Sequence, residues 1–357
     1  MRSICLCMIV RNESAVIARC LESVRPHIDY WIVCDTGSTD NTRELVLETL
    51  RDVRGELHER PWVDFARNRT EAIALAKGKA DYALVVDADM VVNVHRPFKD
   101  DLTADGYRIR YEGDLDYQQT MLVSNQHDWT YIGVTHEYIH SPTAAVQDSL
   151  DALTLTHHCD GSSRAGKLRR DIALLEEGLR HEPDNARYMF YLAQSYREAG
   201  RLEEALETYR RRAAAGGWRE ETWYALYQIA RLRQMLGVGW SEVLESLLAA
   251  YEFNPSRLEP LYLLVRHYRE REQYHTGYLL ACVYPETAYP SNGLFVERDV
   301  YAYKLPLEYA ICCHYAGQYS EALRVNDELL DRPGVPADYV ETAMRNRRFS
   351  LDALQKQ

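Results

Sequence analysis

The chain of 357 residues lacks several features that would assign it to common protein classes. No apolar run approaches the roughly 20 residues that a membrane-spanning helix needs. The apolar run at residues 4–10 is followed at once by Arg11, so we expect neither a signal peptide nor a membrane span. The formal net charge is −12, and this excess of acidic residues disfavours general binding to nucleic acid.

Metal-binding and phosphate-binding signatures of well-known types are also absent. The eight cysteines contain no C-x-x-C pair, which disfavours a structural zinc site. Several of them lie inside apolar runs, as expected for a reduced, cytoplasmic protein. No G-x-G-x-x-G follows the first apolar run and no G-x-x-x-x-G-K-[ST] occurs anywhere, so the usual dinucleotide and P-loop sites are excluded.

Short apolar runs alternate with segments of helical periodicity in the first half of the chain. The runs at residues 4–10, 30–34 and 82–86 are typical of strands that are buried on both faces. This order predicts an α/β domain with a mostly parallel sheet and helices on both sides of it. Asn12 and Asp64 are suitable caps for the helices that follow them.

Polar clusters follow three of these strands, at the edge where a parallel sheet binds its ligands. The clusters are residues 11–13, 35–40 and 87–89. The last contains Asp87 and Asp89, which point the same way along an extended chain. Carboxylate oxygens are ligands that Mg²⁺ and Mn²⁺ prefer, so this pair is a candidate metal site, with a solvated turn as the alternative. A cation there would neutralise a diphosphate that leaves in a group transfer.

Three ordered segments resemble the motifs of family 2 glycosyltransferases, which have the GT-A fold. They are residues 7–13 (CMIVRNE), residues 32–42 (IVCDTGSTDNT) and residues 87–89 (DAD). Residues 62–68 (WVDFARN) are similar to a subgroup that often carries tetratricopeptide repeats behind the catalytic domain. The sublancin-type S-glycosyltransferases are similar in layout. The resemblance covers about the first 165 residues and implies a Rossmann-like domain of the GT-A type.

The resemblance implies a nucleotide sugar, UDP-linked, as the donor. The residues that it implies for the donor site are Val10, Arg11, Asn12, Glu13, Asp35, Ser38, Asp87 and Ala88. Asp87 would contact the ribose, and Asp87 and Asp89 are the acidic metal ligands that it implies. Many family members carry two consecutive aspartates in the second motif, where this chain has Asp35 and Thr36. Arg67 is a candidate for holding a phosphate or the ribose, with a plain surface position as the alternative.

Residues 129–138 combine aromatic residues, a glycine and adjacent ionisable residues, which is unusual for a plain strand. An inverting transfer needs a base that takes the proton of the acceptor. Glu137 is our leading candidate for this base, and the subgroup has a similar His-Glu pair at this place. His136 would bind a phosphate or orient Glu137, and a structural strand end is the alternative for both. Rival carboxylates for the same role are Asp114, Asp116 and Asp128.

A last strand is predicted at residues 152–156, and it runs directly into a polar stretch. Enzymes with the GT-A fold often take a further metal ligand from a histidine in this position. Of His157 and His158, we favour His158 as this ligand. Arg164 and Lys167 would grip the diphosphate as it leaves, with the basic start of a solvated helix as the alternative.

The second half of the chain has helical periodicity throughout, so we predict domains at residues 1–165 and 166–357. Residues 188–218 fit a tetratricopeptide repeat, and residues 309–323 match its core positions again. Weaker copies lie between them. Such helix pairs stack into an all-α domain with a concave face, which we expect to bind a protein or peptide or to form a homodimer.

These features predict a metal-dependent, inverting glycosyltransferase that moves a sugar from a UDP-linked donor to an acceptor. We expect Mn²⁺ or Mg²⁺ as the metal and a protein or peptide, presented along the repeats, as the acceptor. One alternative is the same chemistry on a polysaccharide, a lipid-linked sugar or a hydroxylated nucleic-acid base. Another is a non-catalytic repeat scaffold with a degenerate sugar-nucleotide domain.

Overall fold

The first half of the chain folds around a β-sheet. The computed structural model of the protein describes residues 1–112, 118–162, 166–291 and 293–356. Within these residues the strands are β1 (Ile4–Val10), β2 (Tyr30–Asp35), β3 (Gly55–Glu59), β4 (Tyr82–Val85), β5 (Met90–Val94), β6 (Gly106–Tyr111), β7 (Gln118–Ser124), β8 (Thr130–Ile132), β9 (Tyr138–His140) and β10 (Gln147–His157). The helices of the same half are α1 (Ile17–Val24), α2 (Thr42–Thr49), α3 (Phe65–Ala76) and α4 (Lys167–His181).

The large sheet joins the strands in the order β3-β2-β1-β4-β7-β6-β10-β5, and β8 and β9 form a separate antiparallel pair. β1 runs parallel to β2 and β4, and β2 runs parallel to β3. β6 and β10 form a further parallel pair. β7 runs antiparallel to its neighbours β4 and β6, and the edge strand β5 runs antiparallel to β10. The predicted, mostly parallel α/β sheet is confirmed. Because Val10 pairs with Asp35 and Cys7 pairs with Val85, the carboxyl ends of β1, β2 and β4 meet at one edge.

Both faces of the central strand β1 are buried, as its unbroken apolar sequence predicts. Leu6 and Met8 lie in a core that includes Ile17 of α1 and Val46 of α2. Cys7 lies in a second core, together with apolar residues of α3. Side chains alternate along a strand, so one strand supplies both cores and helices cover the sheet on both sides.

The first helix begins later than the sequence predicts. We expected a helix capped by Asn12, but α1 begins at Ile17. Asn12 has a φ of 55°, and its side-chain oxygen accepts a hydrogen bond from the N–H of Thr39 (2.7 Å). The prediction of this cap is wrong because the side chain instead holds the loop that follows β2. The predicted cap at Asp64 is confirmed, since its carboxylate accepts from the N–H of Arg67 (2.7 Å).

Helix α4 belongs to the first of two compact units, Met1–Pro183 and Asp184–Gln357. The sequence predicts a boundary between residues 165 and 166, which would place α4 in the second domain. In the structure the guanidinium of Arg170 on α4 lies 5.1 Å from the ring centre of Phe65 on α3. Helical periodicity therefore begins before the second unit does.

The second unit is built from helices that pack against their neighbours in chain order. Its described α-helices are α5 (Ala186–Glu198), α6 (Leu202–Ala214), α7 (Arg219–Met235), α8 (Trp240–Phe253), α9 (Glu259–Glu270), α10 (Tyr274–Ala281), α11 (Leu305–Tyr315), α12 (Tyr319–Asp331) and α13 (Ala337–Leu354). The two clearest predicted repeats are α5–α6 and α11–α12. In these pairs Gly200 and Gly317 end the first helix with φ values of 74° and 80°, a conformation that favours glycine. The predicted all-α second part is confirmed. None of the described helices combines the length and apolar character needed to cross a bilayer.

Candidate functional site

Ser38 joins the ends of the first two parallel strands. Its hydroxyl donates to the carboxylate of Asp35 (Oγ to Oδ1, 2.6 Å) and accepts from the N–H of Asn12 (3.0 Å). The Ser38 N–H also donates to Asp35 (3.0 Å). Arg43 approaches the same carboxylate, with Nε 3.6 Å from Oδ2. Asp35 is 2% exposed, so these donors are needed to satisfy its buried carboxylate.

Asp40, in the loop after β2, binds the segment after β1 by hydrogen bonds. Its carboxylate accepts from the N–H of Ser14 (3.2 Å) and from both the N–H (3.1 Å) and the hydroxyl (2.5 Å) of Thr42. Burial raises the pKa of Asp40, but the hydrogen bonds from Ser14 and Thr42 lower it more, to about 2. Thr42 in turn accepts from the N–H of Glu13 (2.8 Å). The loop after β2 therefore sets the position of residues 12–14.

Glu13 is a buried carboxylate that lies near Asp87 and Asp89. It accepts hydrogen bonds from the N–H (3.0 Å) and the hydroxyl (2.8 Å) of Ser162. Burial raises the pKa of Glu13, the Ser162 hydrogen bonds oppose this rise, and the charges of Asp89 and Asp87 add to it. Ser162 also donates to the carbonyl of Arg11 (2.7 Å). The stretch after β10 thus closes onto the stretch after β1, around a concentration of negative charge.

Asp89 and His157 form the candidate metal-binding pair. Asp89 Oδ2 and His157 Nε2 are 3.2 Å apart, and Asp89 is 8% exposed. Burial raises the pKa of Asp89, but the hydrogen bond and charge of His157, together with the N–H of Gly161, hold it below its usual value. His158 contacts Asp89 through a backbone hydrogen bond (3.1 Å). Since β10 places His157 opposite Met90, the imidazole of His157 contacts Asp89, while our preference for His158 as the ligand stays a prediction.

Asp89 and His157 are the side chains that would hold a divalent cation at this edge. Asp89 offers an oxygen donor and His157 a nitrogen donor. A Cβ on Gly161 would lie 3.1 Å from Asp89 Oδ2 and 3.2 Å from Glu13 Oε2, so glycine keeps the space between the two carboxylates open. Among the residues that the structure describes, no three His, Cys, Asp or Glu side chains surround one metal position. The remaining ligands would be phosphate oxygens and water, as is usual for Mg²⁺ beside a nucleotide.

Asp87, the first residue of the D-x-D motif, contacts an arginine. Arg69 Nη2 lies 2.6 Å from Asp87 Oδ1, and Arg69 Nε lies 2.7 Å from Glu137 Oε1. The side chain of Asp87 is 32% exposed and that of Glu137 is 12% exposed. Asp87, predicted as a ribose contact and a metal ligand, thus has its charge compensated by Arg69, while Asp89 is paired with His157. The two aspartates of the motif have different partners.

His136 and Glu137 lie in the connection between β8 and β9. Gly133 has a φ of 113° and His136 a φ of 51°, so the connection turns twice through the left-handed region. A non-glycine residue there is uncommon, and such residues cluster at functional sites. Thr135, between Gly133 and His136, is buried. The structure therefore brings Glu137 to Asp87 through Arg69, and fixes the backbone beside it.

The other predicted residues are more dispersed. Arg67 is exposed and pairs with Glu71 (3.2 Å), which matches the surface position given as its alternative. Lys167 is exposed at the start of α4. Asp128, a rival base, is exposed and pairs with Lys77. Val10 and Ala88 are buried, whereas Arg164, Asp114 and Asp116 lie outside the described residues.

Arg69 is a site residue that the sequence analysis missed. A signal was present, because Arg69 lies at helical spacing from Ala72, Ile73 and Ala76, the buried apolar positions of α3. A charged residue in such a stripe needs a buried partner. No comparable signal marks Ser162, since its partner Glu13 lies 149 residues earlier in the chain.

Part of the first unit matches the model of a known protein family. Residues 5–97, which include the first two polar clusters and the D-x-D motif, match the family model described as glycosyl transferase family 2. Two curated proteins are similar in sequence. A TPR repeat-containing protein of Synechococcus elongatus is 43% identical over 90 residues, covering 25% of this chain and 21% of that protein. The SPbeta prophage-derived glycosyltransferase SunS of Bacillus subtilis is 28% identical over 217 residues, covering 56% of this chain and 50% of that protein.

These matches confirm the resemblance to family 2 glycosyltransferases with repeats. The chain spans about a fifth of the length of the Synechococcus protein and about half of the length of SunS. Two solved structures have weaker overall likeness. One is S. aureus TarS, with a TM-score of 0.39, 13% identity and coverage of 71% of this chain and 55% of that chain. The other is the TPR protein YrrB, with a TM-score of 0.37, 15% identity and coverage of 52% and 86%.

Proposed function

We propose that the protein is a metal-dependent glycosyltransferase that uses a UDP-linked sugar. The observation that carries this proposal is the pairing of Asp89 with His157 at the edge where three parallel strands end. That edge belongs to the region that matches glycosyl transferase family 2. In open α/β sheets, ligands bind in the crevice at the carboxyl ends of the strands.

The donor would lie along the edge formed by residues 10–13, residues 35–38 and Asp87. The hydrogen bonds of Ser38 join the first two of these segments, so their shape exists before the donor binds. A Mn²⁺ or Mg²⁺ ion, held by Asp89 and His157, would supply positive charge to the leaving diphosphate. The protein would supply only some of the ion's ligands. Phosphate oxygens of the donor and water would supply the others, as is usual for such ions beside nucleotides.

Glu137 is the proposed general base. Its carboxylate would take the proton of the acceptor nucleophile while that nucleophile bonds to the anomeric carbon of the sugar. The bond between this carbon and the diphosphate oxygen breaks, and its electron pair leaves with UDP. Attack from the side opposite the leaving group inverts the configuration at this carbon. Because Glu137 is 12% exposed and lies beside Arg69, the base would act in a largely water-free setting.

A protein or peptide is the proposed acceptor. The stacked helix pairs of the second unit support this choice, because repeats of this kind offer extended binding surfaces. A homodimer through the repeats and a cytoplasmic location stay predictions.

The test is the release of UDP from a panel of UDP-sugars, with Mn²⁺ and with a chelator in its place. We expect turnover that depends on the metal and falls about 100-fold or more in Asp89→Asn. The matched control is Asp52→Asn, since Asp52 is 72% exposed and pairs loosely with Arg51 (3.7 Å). Turnover that survives Asp89→Asn would contradict the proposal. Binding of UDP with metal, but without turnover on any acceptor, would favour the scaffold alternative.

A further inference from the structure

Arg69 lies between the donor side and the acceptor side of the site. It projects from α3 and contacts Asp87, which follows β4, and Glu137, which lies between β8 and β9. Its side chain is 11% exposed, and its guanidinium lies 5.7 Å from the ring centre of Tyr131. One buried cation thus touches two carboxylates that come from different sheets.

The surroundings of Arg69 keep its charge. Burial alone would lower the pKa of Arg69, but the charges of Asp87 and Glu137 raise it above its usual value. A buried ion pair is costly to break, because each partner loses its compensation away from water. Without Arg69, two acidic groups would remain close together in a largely buried place. The guanidinium is therefore expected to determine where the largely buried carboxylate of Glu137 lies.

Both contacts of Arg69 are short ion pairs. Nη2 lies 2.6 Å from Asp87 Oδ1. Nε is close to Glu137 Oε1 (2.7 Å), but its N–H is not directed at a hydrogen-bond acceptor. Glu137 is thus held by charge and proximity, which leaves its oxygens able to accept a further hydrogen. This is the property that a base beside a fixed cation needs.

The backbone next to Glu137 is constrained independently. His136 adopts a positive φ, and a Cβ on Gly133 would lie 3.3 Å from the carbonyl oxygen of Thr135 and 3.4 Å from Cα of Glu137. The neighbouring Thr135 is buried. Since the backbone is fixed by these contacts, the remaining freedom of Glu137 is the rotation of its side chain, and Arg69 limits that rotation.

We propose that Arg69 is a positioning residue, which orients Glu137 as the acceptor base and ties it to Asp87 on the donor side. The inference rests on the proposed function and deepens it. Arg69 acts through Glu137, so its removal lowers the rate of the chemical step more than it weakens the binding of the donor. Its effect disappears when Glu137 can no longer act as a base.

The test is a double-mutant cycle on the full chain. Arg69→Gln, Glu137→Gln and the double variant are compared with the wild type by UDP release from the best UDP-sugar with Mn²⁺, and by calorimetric titration with UDP. We expect Glu137→Gln to lower kcat by about 100-fold or more and Arg69→Gln by about 10- to 100-fold. The Kd for UDP should change less than about threefold, and the double variant should be no slower than Glu137→Gln.

Arg69→Lys and Arg96→Gln complete the design. Lysine keeps the charge but cannot span both carboxylates in the same geometry, so it should restore part of the lost kcat. Arg96 is an exposed arginine of the first unit that pairs with Asp101 (3.3 Å), and its substitution should leave kcat unchanged. If Arg69→Gln does not fold, Arg69→Lys takes its place in the cycle with Glu137→Gln.

The outcomes separate the inference from the proposed function. Losses in kcat that multiply in the double variant, or an Arg69→Gln protein with normal kcat, overturn the inference and leave the proposed function standing. A wild-type protein that neither binds UDP nor turns over any UDP-sugar overturns both. Losses in kcat that do not multiply, with partial recovery by lysine, support the inference.

Discussion

The imidazole of His157 faces the carboxylate of Asp89, with 3.2 Å between Nε2 and Oδ2. The two residues are 68 positions apart in the chain and meet because β10 pairs with β5 in antiparallel register. This contact offers one nitrogen and one oxygen at the sheet edge. It also distinguishes His157 from the adjacent His158. The imidazole of His157 contacts the Asp89 side chain, whereas His158 contacts Asp89 through its backbone.

The first prediction concerns the choice between those histidines. His157→Ala should weaken the binding of Mn²⁺ in the presence of UDP by about tenfold or more, because a nitrogen donor beside Asp89 is lost. His158→Ala should change this affinity less than about twofold, since His158 meets Asp89 through its backbone. Electron paramagnetic resonance of free Mn²⁺ measures both values. A larger loss in His158→Ala than in His157→Ala would reverse our assignment.

The second prediction concerns the space between two carboxylates. In Gly161→Ala the new methyl group would lie 3.1 Å from Asp89 Oδ2 and 3.2 Å from Glu13 Oε2, closer than side chains normally approach. We expect the rate of UDP release to fall about tenfold, with little change in thermal stability, because displaced carboxylates misplace the reacting groups. Gly239→Ala is the control, since a Cβ there meets no atom within 4 Å. Equal rates for the two variants would show that the glycine is not needed.

The third prediction concerns pH. The pKa of Asp40 is about 2 in the folded protein, well below its usual value near ~3.9, because of the hydrogen bonds from Ser14 and Thr42. A depressed pKa means that the stabilisation is fully present above about pH 4 and is lost as the pH falls through about 2. Asp40→Ala should therefore lower the free energy of unfolding by about 1 kcal/mol at neutral pH, a figure reduced for solvent screening.

Urea denaturation near pH 7, pH 5 and pH 3 measures this effect. The difference between wild type and Asp40→Ala should be constant from about pH 7 to pH 5 and begin to shrink near pH 3. Asp52→Ala is the control, because Asp52 is 72% exposed. A difference that grows as the pH falls would contradict the assigned direction of the pKa shift.

The fourth prediction concerns the second unit. Arg257 is fully buried, with Nη2 2.7 Å from Glu259 Oε1, Nη1 2.8 Å from Glu220 Oε2 and its guanidinium 3.6 Å from the ring centre of Trp223. Arg257→Met would leave buried carboxylates without a counter-charge, and should lower the free energy of unfolding by about 3–5 kcal/mol.

An exposed pair in the same unit provides the control. Arg266 lies 2.9 Å from Glu270 but is 51% exposed, so Arg266→Met should cost at most about 0.5 kcal/mol. Urea denaturation of both variants gives the comparison. Similar losses for the two substitutions would mean that burial does not determine the strength of the Arg257 network.

Local patterns in the sequence were sufficient to predict the sheet and the helical second part. Apolar runs of strand length, such as residues 4–10, show that a strand is buried on both faces, and helical spacing shows the repeats. The same patterns predict which strand ends carry polar residues. They did not predict that α1 begins at Ile17, because the contact of Asn12 with Thr39 links segments that are distant in the chain.

The sequence by itself determined the D-x-D motif, its place after a buried strand, and the alternation that makes a parallel sheet. Only the tertiary structure decided that Asp87 is paired with Arg69 while Asp89 is paired with His157. The reason is physical. Periodicity reports which face of one element is buried, whereas a contact between side chains from separate elements depends on strand register and on how helices lie over the sheet.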